Sequence, residues 1–337
     1  MKTKESLIKL LQETPDTYIS GSKIAESLGI TRAAIWKCVR QLQDEGYDID
    51  AVRSKGYRIG ENNDVLNEDG IRKYLKNNGF AEDIFRISVR DEVTSTNDVL
   101  KEKAADLPGW SVVIANRQTR GKGRRSKSFY SPADTGLYLS ILIKLPLSAA
   151  EATRITTAAA VAACRAIEKC TSVEITEGTS EYSYIKPQIK WVNDVYINMK
   201  KVCGILTEAS ISMENGGLDW AVMGIGFNIY EPAGGFPEDI ADIAGAILRS
   251  RRRDFRMQTA AGFISEFYNI CLNLGAGSMV EEYKKRSLMK GKQIDVIKGD
   301  LRIPAEAVDI DDDLRLLVRY QDGSTEALSS GDVSIKI

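Results

Sequence analysis

The stretch Gln118-Thr119-Arg120-Gly121-Lys122-Gly123-Arg124-Arg125-Ser126-Lys127 sets two glycines among closely spaced cations, directly after a run that reads as a strand. Glycine lets a backbone approach a ligand with no Cβ in the way, and the flanking Lys and Arg side chains can neutralise phosphate or carboxylate. The spacing is not GxxxxGK followed by Ser or Thr, and Gly224-Ile225-Gly226 does not continue into GxGxxG, so neither common nucleotide fingerprint applies. By itself the stretch is open to three readings: an anion-binding loop, an RNA-binding patch helped by Phe129 and Tyr130, or a solvated charged loop. A second stretch, Lys190-Trp191-Val192-Asn193-Asp194, lies in or after an alternating apolar run. Lys190 there can meet phosphate and Asp194 can offer carboxylate oxygen to Mg²⁺; a strand ending in an Asn-Asp turn would look the same. A third, Lys200-Lys201-Val202-Cys203-Gly204-Ile205-Leu206, puts a lysine beside an apolar run, either in a hairpin turn or facing a ligand.

The chain contains no histidine. That removes Ser-His-Asp and Cys-His nucleophilic chemistry and every imidazole metal site. Its five cysteines form no CxxC pair and read as buried free thiols in a reducing compartment. Asp309, Asp311, Asp312 and Asp313 invite a calcium-loop reading, but Leu314 stands where such a loop needs glycine and Tyr320 where it needs glutamate.

The elements that must carry these residues fall into three blocks. At 337 residues, 43% hydrophobic and 28% charged, the composition suits a globular protein of two or three domains. The net charge of −1 demands that any nucleic-acid contact come from a local basic patch. The N-terminus does not read as a signal peptide and no apolar run is long enough to span a bilayer, so a cytoplasmic protein is expected. In the first block, two short helices precede Thr31, which can cap a third, TRAAIWKCVRQLQDEG. At 100° per residue Ile35, Cys38, Val39 and Leu42 share one face, and Arg32, Trp36, Lys37 and Arg40 the other. Strand-like pieces then flank the basic turn Arg53-Ser54-Lys55-Gly56. This order predicts a winged helix-turn-helix, residues 1–62, with the third helix in the major groove and Lys55 on the backbone; a small helical domain with a solvated charged face is the plainer reading.

Asn62-Asn63-Asp64 reads as a linker before a short helix near 70–76. The second block, 63–284, mixes strand candidates (FRISVRDEV, WSVVIANR, GLYLSILIKL, VEIT, IKWVNDVYI, DWAVMGIGFNIY) with helices over 149–169 and 258–274, and a polar loop over 177–184. That predicts an α+β fold with a mixed central domain. The third block, 285–337, has short strands only and predicts a small SH3-like β-barrel.

Taken together the motifs carry a resemblance. Gln118 to Arg125, K-W-V-N-D at 190–194, K-V-C-G-I-L at 201–206 and G-I-G-F-N at 224–228 resemble the biotin–protein ligase family, as does Ser95-Thr96-Asn97 upstream. L-S-S-G-D-V-S-I near the C-terminus is similar to the family's closing strand, and the winged helix resembles the bifunctional branch that represses biotin operons. The family's glycine-rich loop usually reads G-R-G-R-R-G-R-x-W. Here Lys122 and Lys127 replace arginines, Ser126 a glycine and Phe129 a tryptophan, and Val192 stands where proline is usual. Lys122 keeps the charge and loses the planar fork. Lipoate–protein ligases share the catalytic fold, but their R-R-x-S-G-G element and histidine are missing.

The resemblance implies two steps: biotin and ATP give biotinyl-5′-AMP and pyrophosphate, then a lysine of a biotin carboxyl carrier protein takes the biotin and AMP leaves. It implies ATP and Mg²⁺ as cofactors and biotinyl-5′-AMP as corepressor, operator DNA as partner, and a homodimer in the adenylate-bound state. It assigns Ser95, Thr96, Asn97, Gln118, Lys122, Gly123, Arg124 and Lys201 to biotin. Gly121, Lys122, Arg124, Arg125, Phe129, Lys190, Asn193 and Asn228 fall to ATP and the adenylate, and Thr31, Arg32, Trp36, Lys37, Arg40 and Lys55 to DNA. Lys201, Arg124 and Asp194 would be catalytic; Asp194 would either hold Mg²⁺ or position the acceptor lysine. The rival readings are a ligand-sensing transcription factor without turnover, a lipoate-type ligase and an RNA-binding protein.

Overall fold

A computed structural model describes residues 2–148, 151–172, 185–211, 217–274, 277–329 and 331–335. The loop expected over 177–184 and the strand expected at 173–176 lie outside them. In the first block, α1 (Lys2–Glu13), α2 (Gly21–Leu28) and α3 (Arg32–Asp44) precede the hairpin of β1 (Ile49–Val52) and β2 (Gly56–Ile59). Gly29 ends α2 in the left-handed region at φ 64°, and the Thr31 hydroxyl caps α3 by accepting from Ala34 N. Ile35, Val39 and Leu42 are buried with Leu7, Leu11, Ile24, Ile49 and Ile59 in a core of their own. Ile19 bridges to the hairpin by exchanging two backbone bonds with Tyr57. Gly56 is required there, since a Cβ would fall 2.1 Å from Ile19 O.

The next element is α4 (Glu68–Asn77). It precedes β3 (Arg86–Val93), α5 (Thr96–Lys101), β4 (Ser111–Gln118), β5 (Gly136–Ile143), α6 (Ala152–Ser172), β6 (Gln188–Lys190), β7 (Asp194–Ile197), β8 (Lys200–Ile211), β9 (Leu218–Asn228), α7 (Glu238–Ala241), α8 (Phe255–Cys271) and α9 (Gly277–Lys285). The strands form one mixed sheet in the order β3-β4-β5-β9-β8-β7-β6, with β3–β4 parallel and the other pairs antiparallel. IKWVNDVYI is therefore two strands, β6 and β7, separated by a turn that contains a cis Trp191–Val192 peptide. Alternate residues of β5 and β9 (Leu137, Leu139, Ile141; Met223, Ile225, Phe227) pack with α6 and α8 in the main core. The opposite residues Leu142 and Val222 pack with Leu100 beneath α5.

The last block holds β10 (Lys292–Lys298), β11 (Leu301–Ile310), β12 (Leu316–Tyr320), β13 (Thr325–Leu328) and β14 (Asp332–Ile335), in the antiparallel order β13-β12-β11-β10-β14. This pairing gives the expected antiparallel unit as a sheet that does not close into a barrel: among the described residues the edge strands β13 and β14 are not bonded to each other. The apolar side of the sheet joins the main core, and Trp191 Nε1 donates to Leu314 O at 2.9 Å. Among the described residues no helix is long and apolar enough to cross a membrane.

A candidate two-compartment active site

Opposed residues of an antiparallel pair share one face of the sheet, so register alone predicts what lines it. One row runs Lys190, Asp194, Gly204, Gly226, Tyr138; the next runs Leu206, Gly224, Ser140. Glycines at the centre of both rows leave a floor of bare backbone. Lys201 is three residues from Gly204 and would face the core in a regular strand. A register shift between β7 and β8 turns it onto the open face instead.

Two adjoining compartments lie over this floor. The smaller is lined by Ser95, Thr96, Asn97, Gln118, Lys122, Phe129, Gly204, Leu206 and Gly224 to Gly226. Its polar groups are already ordered among themselves. The Gln118 Oε1 accepts from Thr96 N at 2.9 Å and from Thr96 Oγ1 at 3.2 Å, while its Nε2 donates to Ser131 Oγ. Ser140 Oγ lies 2.7 Å from Thr96 Oγ1 and 2.6 Å from Asn97 Oδ1. Asn97 Nδ2 donates to Glu208 Oε2 at 2.8 Å, so both ends of this buried amide are engaged by protein. Glu208 also accepts from Lys101, which pairs with Asp98, which in turn accepts from Lys122 Nζ at 2.6 Å. Burial alone would raise the Asp98 carboxyl; the bonds from Lys122 and Lys101 outweigh it and hold it below its ordinary value.

The larger compartment, about 280 Å³, is lined by Gly123, Arg124, Phe129, Lys190, Asn193, Asp194, Lys201 and Asn228, with an apolar wall of Phe236, Ile240, Ile243 and Ala244 around α7. Lys201 Nζ is 2.7 Å from Asp194 Oδ1. Arg124 Nη1 donates to Asn193 Oδ1 at 3.1 Å, and Asn193 Nδ2 to Ile205 O. The Lys190 ammonium lies 5.8 Å from the Tyr196 ring centre. Burial first, then the charge of Asp194, keeps the Tyr196 hydroxyl protonated. Among the residues lining this compartment Asp194 is the one carboxylate. A magnesium ion brought in by phosphates usually takes one or two protein carboxylates, so the donor set fits a metal shared with phosphate oxygens. Gly121 and Arg125 line neither compartment: Gly121 is buried under Phe129 O, and Arg125 is exposed on the loop at φ 53°.

On the winged helix, Arg32, Trp36, Lys37 and Arg40 are all exposed along α3, with the Arg40 guanidinium 5.5 Å from the Trp36 ring centre. Thr31 is exposed but its hydroxyl is committed to the cap. Lys55 is exposed in the hairpin turn, 5.6 Å from the Tyr18 ring centre.

The expected linker is a buried joint. Asp64 is almost wholly inaccessible. It accepts from Tyr230 Oη at 2.6 Å and from Arg256 N at 2.9 Å, and it pairs with the Arg256 guanidinium, itself buried. Burial pushes the Asp64 carboxyl up, against the opposing effects of Arg256 and the Tyr230 hydroxyl. Arg256 also donates to Asn116 Oδ1 and Gly136 O, and Arg253 bridges Gly60 O and Asp16. Sequence reading missed this cluster because its members lie far apart in the chain. It also missed Glu208 and the α7 wall. Ser140 did leave a signal, as the lone serine within the apolar run GLYLSILI.

Comparison with known proteins fits this geometry. The bifunctional ligase/repressor BirA of Bacillus subtilis is 33% identical over 248 residues, covering 73% of this chain and 71% of the relative. The chain belongs to the biotin–protein ligase/repressor family. The Biotin/lipoate A/B protein ligase family model matches residues 89–228, an HTH domain model 3–58 and the Biotin protein ligase C terminal domain model 291–336. The Escherichia coli BirA is 26% identical and spans 95% of this chain and 93% of its own length. A biotin protein ligase from Aquifex aeolicus, solved in complex with biotin and ATP, superposes with a TM-score of 0.57 at 25% identity, covering 74% of this chain and 98% of the other.

Proposed function

We infer that this chain is an ATP-dependent, AMP-forming biotin–protein ligase and a DNA-binding repressor of biotin genes. Biotin is joined to ATP as biotinyl-5′-AMP and passed to a lysine of a biotin carboxyl carrier protein. The observation that carries the reading is the pair of compartments on one glycine floor: a small one with ordered amide and hydroxyl groups, adjoining a larger one lined by cations. That is the polarity a ureido head, a carboxylate and a polyphosphate require in sequence.

Biotin's ureido ring fits the groups held by Thr96, Gln118 and Ser95. Asn97 supports them through Ser140. The valeryl chain would cross Gly224 and Gly226 to bring its carboxylate under Lys201 and the Lys122–Arg124 backbone. In the first step a carboxylate oxygen attacks the α-phosphorus and the bond to pyrophosphate breaks. Two anions must meet, so electrostatic stabilisation dominates, and Arg124, Lys190 and Lys201 supply it, with Lys122 and Arg125 on the covering loop. Asp194 orients Lys201 and is the group that would hold magnesium, which on binding would neutralise phosphate charge. Adenine fits against Phe129, Asn228 and the α7 wall; Asn193 fixes Arg124. In the second step the neutral amine of the acceptor lysine attacks the acyl carbon, AMP leaves and the nitrogen gives up a proton. The closed loop keeps water from the anhydride meanwhile.

Residues 1–62 are the DNA-binding domain, 63–284 the catalytic domain and 285–337 an SH3-like unit in a cytoplasmic protein. Adenylate acts as corepressor by favouring a homodimer that grips a two-fold operator. Incubation with biotin and Mg·ATP followed by native mass spectrometry should reveal bound biotinyl-AMP, discharged by a carrier domain. Adenylate without transfer would favour a ligand sensor, and lipoyl-AMP in place of biotinyl-AMP a lipoate-type ligase.

A further inference from the structure

The ring of Phe129 stands between the two compartments and lines both. It rests on the glycine floor: a Cβ on Gly226 would fall 2.4 Å from its Cε1, and one on Gly204 3.0 Å from its Cε2. Tyr138 meets it edge-on with ring centres 6.4 Å apart. The compartment behind the ring measures about 20 Å³, room for about one water. Sites for small organic molecules run to roughly 300 Å³ or more. The backbone under Phe129 is tied down, with Phe129 N donating to Gly121 O and Ser131 Oγ to Phe129 O, both at 2.9 Å. The loop just before it carries two non-glycine residues in the left-handed region, Arg125 at φ 53° and Ser126 at φ 60°.

A biotinyl-adenylate is one continuous molecule and has to occupy both compartments at once. In this conformation the ring lies across its path. We propose that Phe129 is a gate residue: its ring fills the passage over Gly204 and Gly226, must swing off the floor before biotin can enter, and so sets the rate of biotin binding. The proposal rests on the ligase reading and adds to it a side chain acting before the chemistry. If only a minor fraction of molecules is open, both the apparent association rate and the affinity are reduced by that fraction. A smaller side chain enlarges the fraction.

The test is stopped-flow association of biotin alone with the full-length chain and with its Phe129→Leu and Phe129→Ala variants. Phe129 is half-buried in a surface loop, and the Leu variant keeps an apolar contact in case the Ala variant folds poorly. The expected result is an association rate rising in the order Phe, Leu, Ala, by roughly tenfold overall. Equal or slower association in both variants, with biotin still bound, overturns the gate and leaves the ligase reading standing. Failure of the unmodified chain to bind biotin overturns the ligase reading, and the gate with it.

Discussion

Replacing Lys201 with alanine isolates the electrostatics of the first chemical step. The backbone at this position is clamped on both sides, Lys201 N donating to Ile243 O at 2.7 Å and Gly245 N to Lys201 O at 2.9 Å. The strand should therefore stay in place and only the ammonium is lost. Two terms follow. A charge-assisted contact to the reacting anions contributes ~1.5–3 kcal/mol. Asp194 then loses its counter-charge, and its side chain is only 18% exposed. A carboxylate roughly 6 Å from a phosphate, at an effective dielectric constant of about 20, is repelled by about 3 kcal/mol. Magnesium relieves the second term and not the first. At limiting magnesium the rate of biotin-dependent ATP–pyrophosphate exchange should fall roughly a thousand- to ten-thousandfold, and at saturating magnesium by roughly ten- to a hundredfold. Thermal unfolding should move by no more than a few degrees. An unchanged rate at saturating magnesium would refute the assignment of Lys201. A large defect insensitive to magnesium would refute the reasoning about Asp194.

Arg124→Ala should release pre-formed biotinyl-AMP about tenfold faster, measured as a dissociation rate, because the loop loses both its anion contact and its tie to Asn193. Operator affinity at fixed salt should rise when biotin and Mg·ATP are added, and Arg32→Ala or Lys37→Ala should each lower the salt-dependence slope by about one; equal affinity with and without ligand would exclude biotin control. Alkylation at pH 8 should label Cys38 alone in the native protein. Cys164, Cys170, Cys203 and Cys271 are buried, and burial raises their thiols, Cys271 to about 12; fast labelling of any of these four would contradict the packing.

What the sequence made legible follows from physical range. The caps Thr31 and Gly29 and the buried stripe Ile35, Val39, Leu42 act within a few residues, so period and residue type reveal them. The site motifs were legible as chemistry, but their convergence depends on register. Nothing in Lys200-Lys201-Val202-Cys203 announces the irregularity that turns Lys201 onto the glycine floor. IKWVNDVYI has the alternation of a single strand although it folds back on itself at Trp191 to Asn193. The barrel expectation failed on closure, because which edge meets which is not encoded in strand spacing. The α7 wall and Glu208 stayed hidden because ordinary residues became lining only through long-range packing.

The Asp64–Arg256 joint also governs where this chain can be divided. A shortened protein beginning at Val65 would retain every residue of both ligand compartments, yet it would strip the Arg256 guanidinium of Asp64 and leave it only the more distant Asp134 at 3.9 Å, a destabilising loss. One beginning at Asn62 would keep the pair, and with it the Tyr230 hydroxyl bond two residues past Asn228. The aspartate that looks like tether in the sequence is thus part of the enzyme's own interior. Grafting a different reader of DNA onto this ligase, or removing the present one, should be possible only on the N-terminal side of Asn63-Asp64.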